Sequence, residues 1–373
     1  MEILLFDMDG VLLEAHAYHD ALQDTVNLAG KMLGFEGTLL SMEDIAAFES
    51  LGVTSEWDSA AICVALLLDA RWQIDPQARL PNNLRSSLPS CALHRPDFCS
   101  FIAALNVTTD SKSPWECAWQ HLQETREYNL QQEAEMKRLL LGARQIDRSP
   151  TMRLFQELVL GSRVFTQIYD LLPQLDAPGY LEARDIPTLD AINRTRLLAW
   201  LESPGHHAAV MTNRPGRWPD DSQGSPEAEA GLRLTGLERL PMVHWGSLEW
   251  LAARLGVDNP QRLCKPAASH ALAALRLAIG DQPYDALEAA TALTNGRLLP
   301  EWKQLDGSRV TIFEDSENGL RSLLRAADLL AAHGIRIVPR LIGITPSPLK
   351  QRVLSDLQAV CYPNLSAALE SVL

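Results

Sequence analysis

Hydrophobic and polar positions fall into two regimes along this chain. Residues Ile3–Phe6 (ILLF) form a short unbroken apolar run. Such a run is too short for a helix and too apolar for an exposed strand, so it predicts a buried strand, with Gly10 supplying the turn that leaves it. After Leu13 the apolar spacing changes to three and four residues and stays helical for about 170 residues. HAYHDALQDTVNLAGKMLG is amphipathic, and SMEDIAAFESLG opens with Ser41 as an N-cap followed by Glu43 and Asp44. DSAAICVALLLDARW carries the continuous apolar face of a buried helix. PNNLRSSLPSCALHRPDF is polar and broken by prolines, which predicts an irregular crossing between helices. Residues 115–144 read as one long charged helix, and TMRLFQELVLGSRVFTQIYDLL adds more helix.

Strand signals return after a helix that ends at Ser203-Pro204-Gly205. Ala208–Thr212 predicts a short buried strand, and helices and strands alternate from there. PEAEAGLRLTGL, SLEWLAARLG and SENGLRSLLRAADLLAAHG read as helices, and PMVHW, RVTIFED, RLIGIT and AVCYP as strands. Alternation of this kind implies right-handed βαβ units around a parallel sheet, hence an α/β protein. The first strand belongs with the later ones, so the helical block is an insertion: residues 1–15 and 190–373 form the core and 16–189 the insert. Gly216–Ala228 (GRWPDDSQGSPEA) predicts an exposed loop.

A length of 373 residues fits two domains or one domain with a large insert. With 46% hydrophobic and 21% charged residues the composition is that of an ordinary globular protein. A net charge of −14 argues against a nucleic-acid binder, because phosphate backbones need a basic surface, yet leaves room for a small phosphorylated ligand. The six cysteines (Cys63, Cys91, Cys99, Cys117, Cys264, Cys361) form no CxxC pair and no zinc spacing, which predicts scattered reduced thiols. The first residues are acidic where a secretory signal is basic, and the apolar run Ala60–Leu68 is far below the roughly 20 residues of a membrane span. The expected setting is cytoplasmic, with no membrane partner.

Four short segments fall at the carboxyl ends of predicted strands, where open α/β sheets place ligand sites. They are FDMDGV with Asp7 and Asp9, VMTNRP with Thr212, LCKPAASH with Lys265, and IFEDSENG with Glu314 and Asp315. In this order the chain resembles the haloacid dehalogenase-like superfamily across the sheet-forming residues. The resemblance implies a Rossmann-like three-layer α/β/α core with a mainly parallel sheet, and a large all-helical cap of the C1 type inserted after the first strand. It implies Asp7 as the nucleophile that forms an aspartyl-phosphate, and Asp9 as general acid and then general base. It also implies Mg2+ held by Asp7, the Asp9 carbonyl and Asp315, with Glu314 contacting the metal directly or through water. Thr212 and the Asn213 amide would bind phosphoryl oxygens, and Lys265 would offset the negative charge. Having Asp at position 9 favours phosphate-ester chemistry over carbon–halogen cleavage.

The activity implied is a magnesium-dependent phosphatase of a small phosphorylated metabolite. A mutase like β-phosphoglucomutase and a non-catalytic ligand-binding protein of the same fold are the alternatives. His19 stands as a substrate or Asp9 contact, or as a surface or hinge histidine. Glu56, Trp57 and Asp58 either point polar groups at the site or form a capped, packed helix start. Gly179 is a hinge candidate, with Glu182 and Arg184 beside it. The 115–144 segment is open as a surface of the insert or a contact in a homo-oligomer.

Overall fold

The computed structural model describes all residues except 91, 92, 106 and 108–111. Among the described residues, eight strands follow in chain order: β1 (Glu2–Phe6), β2 (Leu13–Glu14), β3 (Ile186–Pro187), β4 (His206–Met211), β5 (Met242–Val243), β6 (Arg309–Glu314), β7 (Val338–Ile344) and β8 (Val360–Tyr362). Six of them form one sheet in the order β5-β4-β1-β6-β7-β8, with every neighbouring pair parallel. β1 is therefore interior, and its side chains alternate between two apolar layers. Ile3 and Leu5 pack with the helices Trp245–Leu255, Ala268–Ala278, Pro283–Thr294 and Glu317–Ala332. Leu4 and Phe6 face the opposite layer, which includes residues of Ala191–Leu201, Glu227–Thr235 and Leu365–Glu370. The result is a three-layer α/β/α core. Burial on both faces explains why β1 reads as a continuous apolar run, since neither face needs polar residues. Phe6 and Phe313 on the neighbouring strands stack at 4.8 Å.

Beyond the sheet, β2 and β3 pair antiparallel, Leu13 with Pro187 and Glu14 with Ile186. The Thr188 amide donates to the Leu12 carbonyl at 3.1 Å and its hydroxyl to the Val11 carbonyl. The chain leaves and rejoins the core through this ribbon, so residues 185–189 belong to the core. It divides into two compact units, Met1–Ala15 with Asp185–Leu373, and His16–Arg184.

The His16–Arg184 unit is helical. Its helix Glu56–Trp72 is buried from Asp58 through Leu68, as its unbroken apolar face predicts. Ser41 caps Met42–Ser50 in a reciprocal box: its hydroxyl accepts from the Asp44 amide, and the Asp44 carboxylate accepts from the Ser41 amide. Arg95 grips the same carboxylate at 2.6 and 2.9 Å, which holds Asp44 well below the usual carboxylate range.

The single helix expected over 115–144 is instead two, Pro114–Thr125 and Leu130–Leu140. Arg126 is extended, and Asp69 draws the connection inward by accepting from Arg126 Nε and the Tyr128 hydroxyl. The Asn129 side chain then starts a new helix by accepting from the amides of Gln131 and Gln132. The helical run from 151 likewise divides, at Gly161 with φ +78°, into Pro150–Leu160 and Ser162–Tyr169. A Cβ at Gly161 would stand 2.4 Å from the Gly179 amide nitrogen, so the two glycines permit a close backbone crossing.

The loop expected to be exposed at 216–228 is open only in its middle: Gly216, Ser225 and Glu227 are buried, with Gly216 against the His244 ring. Five cysteines are free thiols, and Cys91 lies outside the described residues. Among the described residues, no helix is long and apolar enough to cross a membrane.

Candidate functional site

The first carboxylate sits where β1 ends. Asp7 still donates its amide to Phe313 in the ladder at 3.0 Å, while its Oδ1 accepts from the Met8 amide at 2.7 Å. Gly10 turns the chain at φ +76°, and a Cβ there would lie 2.7 Å from Asp315 Cγ. Glycine therefore lets the Asp9–Gly10 backbone lie against the carboxylate that follows β6. Glu314, the last residue of β6, is wholly buried. Gly319 in the next helix leaves room for it, since a Cβ would fall 1.8 Å from Glu314 Oε2.

These placements gather three carboxylates, Asp7, Glu314 and Asp315, with ligand oxygens all within 4.8 Å of one another. Lys265 reaches into the group with its side chain 4% exposed, 2.7 Å from Asp7 Oδ1 and 2.8 Å from Glu314 Oε2. Glu314 Oε1 accepts from the Ser316 hydroxyl at 2.7 Å, so both its oxygens are engaged by the chain. Asp7 Oδ2 makes no hydrogen bond among the described residues. On the solvent side, Lys350 pairs with Asp315 Oδ2 at 2.8 Å.

The electrostatics follow from that count. Burial, then the charge of Glu314, pushes Asp7 well above the usual carboxylate range despite Lys265. Burial and Glu314 also raise Asp315, against the pull of Lys350. Burial disfavours the Lys265 ammonium, but Asp7 and Glu314 outweigh it and hold the lysine above its ordinary value. Three carboxylates against two ammonium groups leave unmet negative charge. A compact set of oxygen donors carrying such a surplus fits a hard divalent cation, without identifying which one.

Asp9 lies in a second ionic group. Arg214 Nε lies 2.8 and 3.0 Å from the two Asp9 oxygens, and its Nη2 also donates to Asp185 at 2.7 Å. The Asp185 side chain is fully buried and Arg214 nearly so, whereas that of Asp9 is 38% exposed. Thr212 follows β4 and is buried, its Oγ1 accepting from the Arg214 amide at 3.1 Å. That leaves the Thr212 hydroxyl proton to donate. Asn213 beside it is exposed.

Residues proposed from the helical insert are placed within their own unit. His19 bonds Glu49 at 3.0 Å, and that bond raises its pKa. Asp58 is fully buried and accepts two bonds from Arg144 at 2.9 and 2.8 Å, so it is an internal ion partner and not a polar group presented outward. Glu56 and Trp57 are half-buried. Gly179 packs on Leu160 and Gly161. Glu182 is exposed, and Arg184 pairs with Asp20 and lies over the Tyr180 ring.

Three residues at these groups escaped the sequence reading. Arg214 was within sight, two positions past Thr212 in VMTNRP, where a cation beside a strand end has reason to meet the Asp9 carboxylate. Asp185 and Lys350 gave no local signal.

No protein-family model matches the chain, and no curated protein sequence does. A solved structure is similar, an X-ray structure described only as a target of the Northeast Structural Genomics Consortium. It is 17% identical, with a TM-score of 0.63 over 100% of this chain and 99% of that one. At that identity the likeness shows the fold alone, a three-layer α/β arrangement with helical elements.

Proposed function

We propose that the protein is a magnesium-dependent phosphatase of the haloacid dehalogenase-like type, acting on a small phosphorylated metabolite. The observation that carries this reading is the Asp7 carboxylate at the end of an interior parallel strand. One of its oxygens is fixed by Lys265 and the other is free, within a cluster that also holds Glu314 and Asp315.

In this reading Asp7 Oδ2 attacks phosphorus, the bond to the leaving oxygen breaks, and an aspartyl-phosphate forms. Lys265 offsets the charge that accumulates on Asp7 and the phosphoryl oxygens. The Thr212 hydroxyl and the Asn213 amide donate to those oxygens. Asp9 gives a proton to the leaving oxygen and then takes one from the water that hydrolyses the acyl phosphate. Arg214 orients Asp9 for both transfers by holding its two carboxyl oxygens. A magnesium ion held by Asp7, Asp315 and the Asp9 carbonyl would supply the neutralisation that lets one anion approach another. A cytoplasmic setting belongs to the same proposal, supported by the free thiols.

The test is phosphate release from p-nitrophenyl phosphate and a panel of sugar phosphates, nucleotides and phosphorylated acids, with magnesium and with EDTA. Turnover is expected only with the metal, and Asp7→Asn should abolish it. Isomerisation of a hexose phosphate without phosphate release would move the reading to a mutase. Silence across the panel with magnesium present would refute both.

A further inference from the structure

Lys350 is a cation in an unexpected place. It lies in the first turn of the helix Pro348–Asp356, whose N-cap is Ser347. Positive side chains are unfavourable there because the helix dipole presents positive charge at that end. Helix stability therefore does not explain the residue. The loop after β7 carries it to the cluster, where its ammonium sits 2.8 Å from Asp315 Oδ2. The two lysines of the site differ sharply: Lys265 is 4% exposed and held between two carboxylates, whereas Lys350 is 58% exposed and holds one. Lys265 is built in. Lys350 hangs from a flexible stem and can withdraw into water at little cost.

We propose that Lys350 is a displaceable counterion for Asp315. Its ammonium neutralises the carboxylate when no cation is bound, and a divalent ion must displace it to reach the same oxygen. The inference rests on reading Asp7, Glu314 and Asp315 as the cation site. An ion coordinating Asp315 and an ammonium on the same oxygen would be like charges a few ångströms apart, so the two occupancies exclude each other. Lys350 thereby sets how much free magnesium is needed to load the site, which makes occupancy respond to the ion's concentration.

Calorimetric titration of the full chain with magnesium chloride tests this, using wild type, Lys350→Met, Lys350→Gln and Lys350→Arg. Each variant is first checked for wild-type circular dichroism. Removing an exposed ion pair of this kind should tighten magnesium binding on the order of twofold to fivefold in the Met and Gln variants. The Arg variant, which keeps the charge, should stay near wild type. Unchanged or weaker binding in the Met and Gln variants overturns the counterion role while the cation site stands. Absence of any heat in all four proteins at millimolar magnesium overturns the cation site, and the inference with it.

Discussion

Arg214 offers the sharpest energetic test of the core, and it does not depend on any substrate. Its guanidinium bridges Asp9 and Asp185, and Asp185 has no exposed side-chain surface. Arg214→Met keeps much of the stem but strips the fully buried Asp185 carboxylate of that cation. Breaking a buried pair from one side costs about 3–5 kcal/mol, because the remaining charge stays out of water. The share from Asp9 is smaller, about 1 kcal/mol or less, since that side chain is 38% exposed. In a unit of roughly 200 residues each kcal/mol moves the melting temperature by about 2–4 °C, so the expected drop is about 6–24 °C. Differential scanning calorimetry of wild type, Arg214→Met, Asp185→Asn and the double variant measures it. Neutralising Asp185 as well should return about 2 kcal/mol of the loss, giving a strongly non-additive cycle. A single variant melting within about 3 °C of wild type, or an additive cycle, would refute the assignment of Arg214 as the buried charge partner of Asp185.

Two further expectations concern buried groups away from the cluster. His244 is buried, and burial pushes it down to about 4. Its unfolded value is near 6.5, so the stability it contributes is complete above about pH 6.5 and is lost as pH falls toward 4, by up to about 3 kcal/mol. His244→Asn keeps an acceptor for the Ser247 amide and should flatten urea-derived stability between those pH values by roughly one proton; an unaltered slope counts against it. In the helical unit, the buried Glu157 carboxylate accepts from the amides of Gln174 and Leu175 and from the Ser162 hydroxyl, at 2.8, 2.7 and 3.0 Å. Glu157→Gln turns one acceptor into a donor facing a donor and should cost about 2–3 kcal/mol, with faster proteolytic cutting near residue 174; equal cutting rates would be evidence against that pin.

The sequence discloses elements in proportion to how one-sided or how apolar their surroundings are. β1 is legible because both its faces are buried, and Glu56–Trp72 because its apolar run is too long for a strand. Ala268–Ala278 escaped for the opposite reason. All eleven of its residues are buried, so no polar stripe marks a helical period, and alanine alone gives little contrast. The split of 115–144 was hidden because Arg126 and Tyr128 are ordinary helix residues whose conformation is decided by Asp69, more than fifty positions earlier. Local pattern carries no information about a partner so far away. The same limit applies to the ribbon of Leu13–Glu14 with Ile186–Pro187, which is two residues long on each side.

At the candidate site, most residues that could be read were those at strand ends, where chain direction alone decides which side chains meet. Asp7, Asp315 and Thr212 are of this kind; Lys265, expected at such an end, instead follows the 3-10 turn Pro260–Leu263 and precedes the helix Ala268–Ala278. Two residues that only balance charge, Asp185 from the connection before β3 and Lys350 from the first turn of Pro348–Asp356, could not be placed in advance. The balance itself distinguishes the two ionic groups of the core. Arg214 holds two carboxylates through several well-formed hydrogen bonds, and two of its three members are out of water, as expected of a brace. Around Asp7 three carboxylates face two lysines, Asp7 and Asp315 are pushed above their ordinary values, and one of the lysines is mostly in solvent. Stability alone gives no reason to crowd like charges at the end of a central strand, where a neutral residue would fold more easily. A ligand that supplies positive charge would give one, and in that sense the surplus supports the proposed cation site.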